Sequence, residues 1–199
     1  IQTKLEQRWN SKINSEYEFY TTNYQNYSFL NNPDNVLFEE SYYNQWLFRP
    51  EIRTTFVMNE NKLTTGIGLN FETLNRTYFA EKAMLKSQFV FFQYDYNPNY
   101  KWNILAGLRY DNTNQYQSQF SPKLAVNFKI NTRLSLKTSI GYGFKAPDFR
   151  QLYFDFLNSS VGYAVLGYNV AESELNLLEG QGQLLYRIPG ISFENPLKP

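Results

Sequence analysis

From Trp102 to Tyr153 apolar and polar residues alternate with period two through three successive segments, each ending at a turn signal. Successive side chains of a strand point to opposite faces, so the pattern predicts three strands with one apolar and one polar side each. In the first, Trp102, Ile104, Ala106, Leu108 and Tyr110 oppose Asn103, Gly107, Arg109 and Asp111. In the second, Pro122, Leu124, Val126, Phe128 and Ile130 oppose Ser121, Lys123, Ala125, Asn127 and Lys129. In the third, Leu134, Leu136, Thr138, Ile140, Tyr142 and Phe144 oppose Arg133, Ser135, Lys137, Ser139, Gly141, Gly143 and Lys145.

Two architectures suit strands of this kind. A soluble sandwich buries the apolar side against a second sheet; a membrane barrel turns it to lipid and lines a wet lumen with the polar side. Aromatic placement favours the barrel. Trp102 and Tyr110 bracket one apolar face and Tyr142 and Phe144 close another, as amphipathic rings at two membrane interfaces would. Aromatics form 19% of the 199 residues, with 17 Tyr and 17 Phe, matching a barrel with aromatic girdles. The negative mean hydropathy is compatible, because half of every barrel strand faces water. No apolar run is long enough for a spanning helix, so any crossing must be made by strands.

The remaining chain repeats the pattern. Ile1, Thr3, Leu5, Gln7 and Trp9 alternate with Gln2, Lys4, Glu6 and Arg8, then 10–13 make a turn. Residues 14–27 form a strand with Tyr and Phe on both faces, followed by a loop at 30–35, LNNPDN. Over 41–56, Trp46, Phe48, Pro50, Ile52, Thr54 and Phe56 oppose Gln45, Leu47, Arg49, Glu51 and Arg53, with Pro50 expected to interrupt the strand. After a turn at 59–61, Leu63, Thr65, Ile67, Leu69 and Phe71 oppose Thr64, Gly66, Gly68, Asn70 and Glu72. Those two glycines either leave room for a large object inside or relieve strand curvature. A fifth strand spans 86–96, with a turn at 97–99. The total is eight strands.

Connections near residues 10, 59, 97 and 131 are tight, whereas those near 30, 79 and 115 are longer. Barrels of the outer membrane have short periplasmic turns and longer extracellular loops, which orients the first strand downward and the eighth upward. Ile1 already begins an alternating segment, with no basic or apolar leader before it, so the start of the gene is expected to lie outside this chain. The chain reads as a piece of a larger barrel.

The formal net charge is +1 with both signs interspersed, giving no basic stripe for nucleic acid. Cys and His are both absent, which removes disulfides, thiolate sites, the commonest transition-metal ligand and the usual general base. No catalytic residue, metal site or cofactor is assigned, and the chain is not expected to be an enzyme.

Several motifs carry a resemblance. Gly107-Leu108-Arg109-Tyr110-Asp111, Ser121-Pro122-Lys123-Leu124, and Gly143-Phe144-Lys145-Ala146-Pro147 followed by Leu152-Tyr153 appear in the order and spacing seen in TonB-dependent outer-membrane receptors. Asn195 to Pro199, NPLKP, is similar to the start of that family's NPxLKPE element. Lys145 stands where the family usually has Arg, and Arg150-Gln151 replaces an acidic approach to the Leu-Tyr pair. The resemblance implies an antiparallel transmembrane β-barrel of about 22 strands holding a plug domain. This chain would supply part of it: strands and hairpins over 1–147 and a long extracellular loop over 148–196, with the plug outside the chain.

Implied partners are outer-membrane lipid, the receptor's own plug, the TonB complex reached through that plug, and a small-molecule substrate. The implied location is the bacterial outer membrane and the implied activity is import of a scarce nutrient such as a ferric siderophore, cobalamin or oligosaccharide. Haem is disfavoured, since haem receptors of the family generally carry His in the region corresponding to 148–196. Arg49, Glu51, Arg53, Arg109, Asp111, Lys123 and Lys137 are predicted to face the lumen, where they contact plug or substrate or merely solvate a wet wall. In the long loop, Arg150, Tyr153, Phe154, Phe156, Tyr163 and Tyr168 are candidates for substrate contact, with Phe154, Phe156, Tyr163 and Tyr168 able to stack on a sugar or aromatic chelate or to anchor the loop. A short helix is predicted over 170–185, with Glu172 and Glu174 in its first turn. The competing class is a soluble all-β carbohydrate-binding module.

Overall fold

The computed structural model describes residues 1–158, 161–193 and 197. Eight strands follow one another as an antiparallel meander in a single sheet: β1 Gln2–Arg8, β2 Ile13–Asn31, β3 Leu37–Met58, β4 Asn61–Arg76, β5 Ala83–Asn99, β6 Trp102–Thr113, β7 Gln119–Lys129 and β8 Ser135–Gly141. Beyond them come helix α1, Phe149–Tyr153, the hairpin β9 Asp155–Asn158 and β10 Tyr163–Leu166, and helix α2, Tyr168–Gly180.

The register joins the apolar faces of all eight strands into one surface. Leu5 lies opposite Tyr17, Tyr17 opposite Ile52, Ile52 opposite Ile67, Ile67 opposite Val90, Val90 opposite Tyr110 and Tyr110 opposite Phe120. On the same side Ile104, Val126 and Thr138 form one row and Trp102, Phe128 and Leu136 another. Among the described residues no second layer covers this surface: Leu108, Leu124, Leu136 and Ile140 are 45%, 44%, 61% and 74% exposed. A sandwich would have sealed them. Rings cluster toward its two borders, with Trp102 on Phe128 (4.4 Å) and Tyr110 on Phe120 (4.7 Å).

Asparagine builds the turns at one end of the sheet. The side chains of Asn10, Asn99 and Asn131 accept from backbone N–H groups two residues on, at 2.8, 3.0 and 2.9 Å, the local competition with the ladder that makes Asn a turn former. Asn59 adopts φ 54° between β3 and β4, a left-handed conformation that Asn tolerates.

Several boundaries differ from the sequence expectation. At 19 and 22 residues, β2 and β3 are about twice the length needed to span a bilayer. They run on past their neighbours to a tight turn at 32–36, closed by Asn32 Oδ1 on Val36 N at 2.9 Å. Pro50 does not interrupt β3: the β3–β4 ladder skips Arg49 and Pro50 and resumes at Glu51 in the same register, while β2 stays paired with both. Proline lacks a donor, and pairing on the other side carries the strand through. β5 continues through an irregularity between Tyr96 and Asn99, which moves its turn to Tyr100 and Lys101. β8 is shorter than its alternation, because Phe144 leaves the apolar face to pack near Tyr116 (6.3 Å). α2 begins at Tyr168, so Glu172 and Glu174 fall outside its first turn, which holds no acidic residue. Of the NPLKP element only Leu197 is among the described residues, bridging in parallel to Tyr116; the rest lies outside them.

Past β8 the chain folds back over the polar side at the loop end. There Phe149 and Phe154 bury against Leu74, Phe79, Ala83 and Leu85, with Tyr43, Tyr78, Tyr116, Tyr153 and Phe156 packed around them. α1 is set by a capping box in which Asp148 Oδ1 accepts from Gln151 N at 2.8 Å and Gln151 Oε1 from Asp148 N at 3.1 Å. Leu152 on α1 is fully buried, worth about 1.5–3 kcal/mol relative to exposure. Gly167, the N-cap of α2, crosses this short helix so closely that a Cβ would lie 2.5 Å from Leu152 C and Tyr153 N. Backbone cannot yield there, so only glycine fits.

Candidate functional site

The polar face is a lattice of rows and columns. One row reads Glu6, Glu16, Arg53, Gly66, Phe91, Arg109 and Ser121; the next reads Lys4, Glu18, Glu51, Gly68, Phe89, Asp111 and Gln119. Each cation of these rows has its acid two residues away on its own strand, where side chains share a face. Lys4 pairs with Glu6 at 2.9 Å and Arg53 with Glu51 at 2.6 Å. Arg109 binds Asp111 through two oxygens, at 2.8 and 2.7 Å. Glu16 adds cross-strand contacts to Lys4 (3.4 Å) and Arg53 (3.7 Å).

Two rings lie among these charges. Phe89 is buried beneath the Arg109 guanidinium, 3.8 Å from its centroid, while Arg53 reaches Phe91 at 5.8 Å. Space for the rings comes from glycine. A Cβ on Gly68 would stand 2.3 Å from the Phe89 ring, and one on Gly66 2.5 Å from Phe91 and 2.9 Å from Ile52 O. Of the two sequence expectations for these glycines, room for a large object is filled by the aromatic neighbours across the strand pair.

The structure brings Arg49, Glu51, Arg53, Arg109 and Lys123 to the lining of one groove of about 420 Å³, with Asp111 bound to Arg109 at its side. Arg49, Glu51 and Arg53 also border a recess of about 390 Å³ toward β1 and β2. Lys137 stands apart on β8, opposite Asn127. Sequence reasoning missed Phe89, Phe91, Lys4 and Glu16 as members of this wall. Phe and Tyr on both faces of β5 were the available signal, ambiguous until the register paired Phe89 and Phe91 with glycines.

The six loop candidates divide by exposure. Phe154 is enclosed, Phe156 and Tyr153 are half-buried, and Arg150 and Tyr163 are exposed, Arg150 lying 4.9 Å from the Phe154 ring. Burial pushes the Tyr153 phenol up, against hydrogen bonds with Asn169 and Gln115. Tyr168 meets Phe193 edge to face at 5.4 Å. Tyr168, Asn169 and Phe193 close a recess of about 600 Å³ against residues 112–118, and among the described residues none that lines it is charged.

After α2 the chain returns through Gly182, at φ +69°, and fastens to Glu172, which accepts from Arg187 Nη2 at 2.6 Å and Phe193 N at 3.3 Å. These donors hold the Glu172 carboxyl below its usual value of 4.5. A depressed carboxylate contributes stability that is present above the unfolded value and lost as pH falls through the folded one. Hydrogen exchange over 187–193, corrected for intrinsic rates, is therefore expected to accelerate as pH drops below 4.5, and Glu172→Gln to remove that dependence. An unchanged profile in the variant would assign the fastening to other contacts.

Among the described residues no group of three or more metal-ligating side chains occurs, and no helix is long and apolar enough to cross a membrane. The latter says nothing of crossing by strands.

Comparison with known proteins gives a consistent result. A search of curated proteins finds no match. Among solved structures the chain is similar to the siderophore receptor PirA from Pseudomonas aeruginosa, with a TM-score of 0.53 and 17% identity, over 75% of this chain and 35% of that one. At this identity the likeness shows the fold, and the chain spans about a third of the receptor it matches. The model of the family described as TonB dependent receptor-like, beta-barrel, matches residues 2–186. An exposed apolar face eight strands wide, a charged face behind it and a family match over nearly the whole chain agree, and the chain belongs to the TonB-dependent receptor β-barrel family, as part of such a barrel.

Proposed function

We propose that this chain forms part of the wall of an outer-membrane importer that takes up a scarce nutrient, with a ferric siderophore, cobalamin and an oligosaccharide as the candidate classes. The observation that carries the reading is the two-sided sheet: an uncovered apolar surface that suits acyl chains, backed by an ion-paired surface that suits a wet lumen. On this reading the Asn-built turns face the periplasm and residues 148–196 form an extracellular loop. The plug, from sequence outside this chain, sits against the wall of Arg49, Glu51, Arg53, Arg109, Asp111 and Lys123 and passes on energy from TonB. Arg150 and Tyr163 are the loop candidates with exposed side chains for substrate. The recess beside Tyr168 offers amides and rings to a polar part of it.

The test is uptake by the host with and without the gene that encodes this chain, using radiolabelled ferric siderophores, cobalamin and oligosaccharides, in the presence and absence of TonB. TonB-dependent loss of one class, restored by the gene, is expected. Unchanged uptake of all three classes, with the protein released from membranes without detergent, would remove the transport reading.

A further inference from the structure

Arg76, the last residue of β4, has an unusual set of neighbours. Its guanidinium lies 5.7 Å from the ring centroids of Tyr43, Phe79 and Phe154 alike. Its Nε donates to Thr77 O at 3.2 Å, and among the described residues it forms no ion pair with a carboxylate. The three rings come from three places: Tyr43 from β3, Phe79 from the β4–β5 connection, and Phe154 from the segment that follows α1. Phe79 and Phe154 are buried. Around this cage the same segments also meet through Asp155 N on Tyr78 O at 2.8 Å, Tyr78 edge to face on Phe154 (5.9 Å) and Phe156 (4.9 Å), and Phe79 beside Tyr153 at 6.1 Å.

We propose that Arg76 is the positioning residue that fixes residues 148–158 on the β3–β5 wall through this aromatic cage, making them a static part of the barrel mouth. The physical reason is the nature of the attraction. A ring quadrupole holds a cation at short range, and a partly buried contact of this kind is screened by salt far less than an exposed ion pair. An opening in which ions at the cell surface compete for contacts keeps its shape if its central cation is held by rings. The inference does not depend on which nutrient is carried, and its readout needs no transport, so failure of the uptake test leaves it standing.

Hydrogen exchange on the full-length receptor in a bilayer tests it. Arg76→Met keeps the bulk and removes the charge, and is expected to raise exchange over 149–158 about tenfold with the β6–β7 pairing unchanged. Arg76→Lys, which retains charge without the planar face, is expected to fall between the two. Wild-type exchange over the same residues is expected to be equal at about 50 and about 500 mM salt. Unaltered exchange in Arg76→Met, or a wild type that loosens with salt, would overturn the assignment. If Arg76→Met does not reach the membrane, Arg76→Gln, which also removes the charge and leaves the buried rings intact, is read instead: a rise confined to 149–158 supports the proposal and none refutes it.

Discussion

Arginine in place of Leu124 is expected to cost the folded receptor about 2–4 kcal/mol, because on the proposed reading it sets a charge midway along a strand that faces lipid. Leu124 lies between Phe120 and Phe128 on β7, faces Ala106 on one side and Ile140 on the other, and is 44% exposed, with none of the described residues forming a layer above it. In water such a leucine would accept arginine almost without cost, since exposed substitutions away from special contacts usually stay within about 0.5 kcal/mol. The penalty belongs to the hydrocarbon. The paired control is Lys123→Ala, one residue away on the other face, expected to fall within that same band of about 0.5 kcal/mol. Equilibrium unfolding of the full-length receptor from liposomes measures both. Equal costs at 123 and 124 would mean that the two faces of β7 meet the same solvent.

The second large effect is expected at Gly68→Val, at about 1–3 kcal/mol or more, for the opposite reason: overpacking of a wall already filled. The Phe89 ring occupies the space a Cβ would need, and it cannot swing away because the Arg109 guanidinium covers it at 3.8 Å, itself held by two hydrogen bonds to Asp111. The substitution should therefore disturb β4, β5 and β6 together. Gly68→Val with Phe89→Ala is expected to recover much of the loss, since the new side chain then takes the place of the old ring. Such recovery is a coupling between contacting residues that a double-mutant cycle reads directly. Additive losses would show that glycine is needed at 68 for strand curvature instead.

The same face of the sheet carries several of its charges in ion pairs. An exposed ion pair contributes only about 0–1 kcal/mol, so the pairs of this lattice do little for stability one by one. Their effect is to present a nearly neutral surface in which Arg53 and Arg109 are already engaged by Glu51 and Asp111. Arg49 and Lys123, like Lys137 on β8, form no ion pair among the described residues, and on the proposed reading they are open to an anionic group on plug or substrate.

Much of the fold was legible before any coordinates. Each stretch that alternated became a strand, and Ile104, Leu108, Leu124 and Leu136 lie on the face their spacing assigned to them. The polar wall was legible as a set of residues, yet its organisation was not. Nothing local marks Phe89 as the floor under Arg109, because that contact joins strands through their pairing and depends on an absent side chain at Gly68. Likewise Arg76 reads as an ordinary strand-end charge until Phe154 returns to it from beyond β8. Glu172 looked like a helix-dipole partner and instead fastens the chain that comes back past α2.

What the sequence by itself determined was the eight strands of the large sheet, their two faces and the turns near Asn10, Asn59 and Asn131, all properties of residues within a few positions of one another: backbone geometry sends neighbours to opposite sides whatever the strand is paired with. Only the tertiary structure decided which glycine receives which ring, how far β2 and β3 project, and where the chain after β8 is held. Those outcomes rest on register and on chain return, where residues far apart in sequence meet and the space left by one is taken by another.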